Sequence, residues 1–277
     1  MGLRAIILGC GSSGGVPRVG GDWGNCDPSN PKNKRSRSSL YVEYWSGEKM
    51  PEPEKRTAVV IDTSPDLREQ LLAAKIQRLD AVVFTHEHAD QSHGIDDLRA
   101  LAYRMQTQIP TYMDQNTKEN VYTRFQYCFE MPEGRVHPAI LKLQPLMKNG
   151  DRVKIDGPGG ILNIDVLEVS HGPTKSLGFI FDNRLGYAPD VWDVPDEAIK
   201  ALADIDTIIV DSLRYNEHPT HANTDKSLSW LARTRARHGI LTNLHIDMDY
   251  ETLAAELPPV AVPAYDGMEI ILPEVAA

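Results

Sequence analysis

Cysteine is scarce in this chain: Cys10, Cys26 and Cys128 are the only three among 277 residues, and they are widely spaced. Three such thiols build neither a disulfide framework nor a four-cysteine zinc knot, so a reducing compartment is expected. Long apolar runs are missing too. The N-terminal stretch Ala5-Ile6-Ile7-Leu8 is too short for a signal peptide and runs straight into a glycine-rich turn. No segment approaches the roughly 20 apolar residues that a membrane span requires. A cytoplasmic protein without membrane contact is therefore expected. Positive charge is also in short supply, with 29 Lys and Arg against 39 Asp and Glu and a net charge of -10. That balance argues against a nucleic-acid-binding surface, although Lys32-Asn33-Lys34-Arg35-Ser36-Arg37 is locally basic. Finally, no Pro/Ser linker or low-complexity tract divides the chain, so residues 1–277 read as one domain large enough to bury a full core.

What is present is a series of short β-branched runs, each bounded by Gly, Pro, Asp or Ser. They are Leu3–Leu8, Leu40–Trp45, Ala58–Ile61, Ala81–Phe84, Ile161–Val169, Leu177–Phe181, Thr207–Val210 and Gly239–Leu244. These predict strands. Helical spacing occupies Pro65–Ile76, Gly94–Met105, Lys118–Tyr127, Pro195–Leu202, Asp225–Arg237 and Asp249–Glu256. Strands cluster in the first half, and a strand-then-helix rhythm fills the second. The pattern suits an α/β protein with two packed sheets and helices outside.

Chemistry concentrates after the fourth run, in Thr85-His86-Glu87-His88-Ala89-Asp90-Gln91-Ser92-His93. Imidazole nitrogens suit zinc and its neighbours, and a carboxylate can hold a second ion or a proton. Further ligand-type residues also follow strands: His171 after Ile161–Val169, Asp190 after Leu185-Gly186-Tyr187-Ala188, and His245 after Gly239–Leu244.

His-x-His-x-Asp after a strand, a distal His, an Asp after a short strand and a final His resemble the metallo-β-lactamase fold superfamily. The opening Leu8-Gly9-Cys10-Gly11-Ser12-Ser13-Gly14-Gly15-Val16-Pro17 and the segment from His221 to His245 are similar to one branch of it. That branch holds the tRNA 3′-processing ribonucleases and the phosphoribosyl cyclic phosphodiesterase of phosphonate breakdown. The resemblance implies an αββα four-layer sandwich of two mixed sheets flanked by helices, with two divalent ions, zinc or manganese, in its cleft. It also implies that His86, His88 and His171 hold the first ion and that Asp190 bridges. Asp90 would belong to the second ion and orient the attacking water, and His221 would protonate the leaving group, with His218 as the alternate. Two positions depart from the family pattern. Gln91 and Asn243 stand where it places histidines, and in each case a histidine follows two residues later. The expectation is a second site rebuilt with His93 and His245, or one that binds more weakly.

Ions in such a cleft would serve hydrolysis of a small cyclic or nucleotide-like phosphodiester. Ser12 and Ser13 of the glycine-rich turn, with Arg18, Arg35, Arg37 and Arg214, are the candidates to grip its phosphate. An RNA-processing nuclease, a lactone or thioester hydrolase, and a nucleotide-binding protein with an impaired second site are the alternatives. The partner is then a small-molecule substrate rather than nucleic acid, and a homodimer is left open.

Overall fold

A computed structural model describes residues 1–131, 133–134 and 136–272. Its strands run β1 Gly2–Gly9, β2 Ser39–Trp45, β3 Thr57–Ile61, β4 Ala81–Val83, β5 Ile109–Tyr112, β6 Leu141–Leu143 and β7 Arg152–Ile155. The series continues with β8 Leu162–His171, β9 Thr174–Phe181, β10 Leu185–Ala188, β11 Thr207–Asp211, β12 His238–Thr242, β13 Ala261–Pro263 and β14 Met268–Leu272. They form two seven-stranded sheets, ordered β14-β1-β2-β3-β4-β5-β6 and β13-β12-β11-β10-β9-β8-β7. The helices are α1 Leu67–Ala73, α2 Ala89–Ser92, α3 Arg99–Met105, α4 Gln115–Phe129, α5 Asp196–Ala201, α6 Thr224–Thr234 and α7 Tyr250–Glu256.

Alternation along the strands explains the layering, because successive side chains point to opposite faces. Leu3, Val42, Val59, Ile61, Ile164, Val166, Phe179 and Ile209 meet between the sheets. The opposite faces carry Val60, Val82 and Phe84 under α1, α3 and α4, and Ile208, Val210 and Leu241 under α5, α6 and α7. The αββα sandwich is thus built from three apolar layers. Among the described residues no helix is long and apolar enough to cross a membrane.

Both sheets are mixed, and their parallel parts do the positioning. In the first, β3, β4 and β5 are parallel neighbours; in the second, β10, β11, β12 and β13 are. The C-terminal ends of parallel strands open onto one edge, where ligand sites of α/β sheets gather. Here that edge receives Asp62 and Thr85 from one sheet and Asp190, Asp211 and Asn243 from the other.

The motif segment begins its helix earlier than expected, at Ala89 rather than near Gly94, and the stretch Ile95–Leu98 is a 3₁₀ turn. It is fastened to the loop after β3: Thr63 N–H donates to the Gln91 carbonyl at 2.7 Å and Gly94 N–H to the Thr63 carbonyl at 2.9 Å. Asp66, at the start of α1, makes no capping bond there and accepts from Arg37 N–H at 2.9 Å. Close approach at Gly94 leaves no room for a side chain, since a Cβ there would lie 2.0 Å from the Ser64 carbonyl oxygen. Gly94→Ala should therefore destabilise the protein by about 1–3 kcal/mol through backbone displacement. Urea unfolding measures this, and an unchanged midpoint would refute the packing argument.

Candidate metal centre

His86, His88 and His171 meet at the cleft edge, with ring centroids 4.4, 5.1 and 5.2 Å apart in pairs. The local structure sets both position and tautomer. Asp62, fully buried in a left-handed conformation at φ 62°, accepts from Thr85 N–H and from the Thr85 hydroxyl, each at 2.8 Å. With its only proton committed to Asp62, that hydroxyl accepts from His86 Nδ1–H at 3.0 Å. His171 Nδ1–H likewise donates to the Thr220 carbonyl at 2.8 Å. In both rings the Nε2 lone pair is left facing the cluster.

Burial, reinforced by His88 and His171, holds His86 neutral, well below the usual imidazole range. Burial, followed by the charges of His221 and His88, lowers His171 to about 4. His86 Nε2 is buried without a hydrogen-bond partner. A buried, unpartnered nitrogen is unfavourable unless something accepts its lone pair. The donor atoms of these three histidines lie within 4.8 Å of one another, as do those of His171, Asp190 and His221. A divalent ion fits the first group.

The carboxylates nearby fit it too. Burial pushes Asp190 well above the usual carboxylate range; His221 opposes this, while Asp90, Asp211 and Asp62 add to it. A cation beside these acids would reverse that logic. Asp90 reaches the site through Gln91, whose Nε2 lies 3.4 Å from Asp90 Oδ2 and donates to Asp190 Oδ2 at 3.0 Å. Asn243 Nδ2 donates to Asp190 Oδ1 at 3.2 Å and to the Pro189 carbonyl at 3.0 Å.

His221 stands against this group, its ring 4.8 Å from that of His171. Burial works against its charge, but Asp211, whose Oδ2 accepts from Nδ1–H at 2.7 Å, outweighs it together with Asp190 and Asp90. The result is a pKa of about 9, so His221 is an imidazolium at neutral pH. His221 and His218 line a small pocket of about 160 Å³ with Trp192 and Lys226.

Beside Asp90 opens a shallow cleft of about 500 Å³, lined by Ser13, Gly14, Arg18, Arg37 and Asp90. A larger hollow of about 960 Å³ lies elsewhere, among Arg4, Glu43, Arg56, Arg78, Asp80 and Glu269. Its charges already pair with one another: Glu43 with Arg4 and Arg56 at 2.9 Å each, and Arg78 with Asp80.

Several expected site residues lie elsewhere. His93 does not join the ligand groups: its Nδ1 bonds the Ala89 carbonyl at 3.1 Å and its ring packs on Phe125 at 5.5 Å, because α2 ends one residue earlier. His245 is not among them either; it lies against Arg18, with Nδ1 2.8 Å from Asp247 Oδ2. Asn243 takes a left-handed φ of 61°, which breaks the strand alternation that would have turned His245 inward. Arg214 is held by the carbonyls of Asn216 and Glu217 at 3.4 and 2.7 Å, and is not part of the arginine-lined cleft. Ser12 is buried, its N–H bonded to the Leu244 carbonyl at 3.3 Å, so it braces the turn, whereas Ser13 reaches the cleft. Arg37 lines the cleft as expected, whereas Arg35 is buried and donates to the Met248 carbonyl at 2.7 Å. Asp62 and Asp211 join the site unanticipated in these roles. For the two acids the signal was there: each directly follows an apolar strand, as Asp190 nearly does.

Residues 57–246 match the family described as Beta-lactamase superfamily domain. A crystal structure described as a new diphosphatase from the PhnP family is 30% identical with a TM-score of 0.85, covering 98% of both chains. The short form of human tRNase Z is 15% identical with a TM-score of 0.64, covering 96% of this chain and 98% of that one, a likeness of fold. A protein of Porphyromonas gingivalis named Octanoyltransferase is 32% identical across 98% of this chain but only 52% of its own length. The chain thus spans about half of that curated relative. Sandwich, histidine cluster and these likenesses agree: the chain belongs to the beta-lactamase superfamily of metallo-β-lactamase fold proteins, in the branch that includes the PhnP family.

Proposed function

We propose that this metallo-β-lactamase fold hydrolase cleaves a small phosphate ester or anhydride, either a cyclic or nucleotide-like phosphodiester or a diphosphate linkage. The observation that carries the reading is the ring of His221, braced by Asp211 at 2.7 Å, beside three imidazoles whose ligand atoms face a common point. His86, His88 and His171 would hold a divalent ion, zinc or manganese, with Asp190 adjoining. Such an ion supplies Lewis acidity toward a phosphoryl oxygen and toward water.

The remaining work falls to side chains. Arg18 and Arg37 meet the phosphate's charge from the cleft wall. Asp90, at the same wall, accepts a hydrogen bond from the attacking water, orients it and takes the proton that the water loses as it adds. As the new P–O bond forms, the bond to the leaving oxygen breaks and His221 gives that oxygen the proton of its Nε2. Asp211 holds the opposite N–H and stabilises the imidazolium form. The diphosphatase named for the 30% identical relative supports the anhydride within this class.

Acyl transfer, suggested by the name of the Porphyromonas gingivalis protein, gains less support. Burial pushes all three thiols upward, Cys128 to about 12, so none is a ready nucleophile. The net charge of -10 weighs against an RNA substrate.

His88→Ala should abolish both metal uptake, by elemental analysis, and hydrolysis of a chromogenic diester, while Asp90→Ala should lower turnover far more than it lowers occupancy. Full turnover by the Asp90 variant would sink its role. His221→Ala should slow esters with alkyl leaving groups about 10²–10⁴-fold yet barely affect p-nitrophenyl esters, whose oxygen departs without a proton; equal losses on both would exclude an acid role. In chelator-treated protein, a His221 pKa raised on folding from 6.5 to about 9 gives stability that is complete below pH 6.5 and lost as pH rises through 9. Asp211→Asn should flatten that slope, as thermal melts across pH 6 to 10 would reveal.

A further inference from the structure

Gln91 and Asn243 are buried to 0% and 1% exposure, and their amides grip opposite oxygens of one carboxylate, Asp190. Gln91 Nε2 also faces Asp90 Oδ2. Two neighbours set the orientation of Asn243, the Pro189 carbonyl and Asp190, against the N–H of His221 Nδ1 at 3.2 Å. Turned over, its amide oxygen would face the Pro189 carbonyl at 3.0 Å as well as Asp190, and two acceptors would be set against a third. An amide nitrogen offers no lone pair, so both amides present N–H groups to Asp190 where a second ion's ligands would stand, while the Gln91 oxygen is buried without a partner.

The two ligand groups of the cleft, His86–His88–His171 and His171–Asp190–His221, also compete. They share His171, whose Nδ1 is bound to Thr220, so a single nitrogen would have to serve both. His221 in turn has its Nδ1 committed to Asp211. Neither nearby histidine relieves the shortage, since His93 is engaged by Ala89 and Phe125 and His245 by Arg18 and Asp247.

We propose that the centre takes a single ion, held by His86, His88 and His171, and that Gln91 and Asn243 turn the place of a second ion into a hydrogen-bonded brace for Asp190. The inference rests on the reading of this cluster as a metal centre. Each Asp190 oxygen accepts one amide and keeps its other lone pair, so the brace fixes the carboxylate while leaving it able to complete the ion's coordination. Positive charge for the substrate then comes from the protein, from Arg18 and Arg37 on the cleft wall beside Asp90.

The test is metal stoichiometry of the intact protein, stripped by chelator and titrated with zinc alone and with manganese alone. Calorimetry and elemental analysis after desalting would read the result. One equivalent of either metal is expected, falling to none in His88→Ala. The double variant Gln91→His with Asn243→His, folded by circular dichroism, should take up a second equivalent of zinc. Two equivalents in the unaltered protein would overturn the single-ion inference and leave the metal centre standing. So would a folded double variant that still takes only one, because the amides would not be what excludes the second. No binding at all would overturn both this inference and the metal-centre reading.

Discussion

Everything at the cleft depends on keeping buried imidazoles neutral, with their lone pairs facing one point. Burial alone would leave such rings free to choose a tautomer, and a wrong choice would turn an N–H inward. Two acceptors prevent it: the Thr85 hydroxyl, itself held by Asp62, and the Thr220 carbonyl. These lie in different sheets' loops, so the alignment of the sandwich and the tautomers of its ligands are one constraint. The Thr85 carbonyl, which accepts from Leu177 N–H at 3.0 Å, bonds the motif strand to the opposite sheet.

The acids around this core are divided by what they face. Asp62 and Asp211, both fully buried, serve other residues: one positions Thr85, the other keeps His221 charged. Asp190 is shared between two amides and the ligand cluster, while Asp90 sits at the rim beside the arginines. Four carboxylates in one small region would repel one another strongly if left alone. The imidazolium, the amides and the cleft arginines each answer part of that charge, which explains how a chain of net -10 can still offer a phosphate a local welcome.

Much of this was legible beforehand, for identifiable reasons. Apolar runs with β-branched residues predicted β1, β2, β3, β4, β8, β9, β11 and β12, and ligand-type residues just past strand ends pointed to the cleft. The strands not expected have weak patterns: β5 and β13 contain proline, β6 and β7 alternate with exposed lysines, and β14 exposes Glu269 and Ile271. The site's failures were failures of direction. His93 and His245 sit close in sequence to Gln91 and Asn243, but one lies beyond the end of a four-residue helix and the other beyond a left-handed residue. Sequence distance measures neither turn. The positioning acids Asp62 and Asp211 do stand at the ends of apolar strands, but a carboxylate that serves a threonine or a histidine leaves no spacing motif that tells its role.

The glycine-rich turn after β1 joins the two ends of the chain. Gly11 bridges Leu244, Cys10 accepts from Leu244 N–H at 2.8 Å, and Asp266 accepts from both Cys10 N–H and Ser36. A wall of the cleft made from residues near 13 and 18 is therefore anchored by residues near 244 and 266. During synthesis the first strand leaves the ribosome long before its anchors exist, and non-local contacts of this span form late. A slip in the contacts at 244 or 266 would thus loosen the wall that faces the anion while leaving the acceptors of the imidazoles in place.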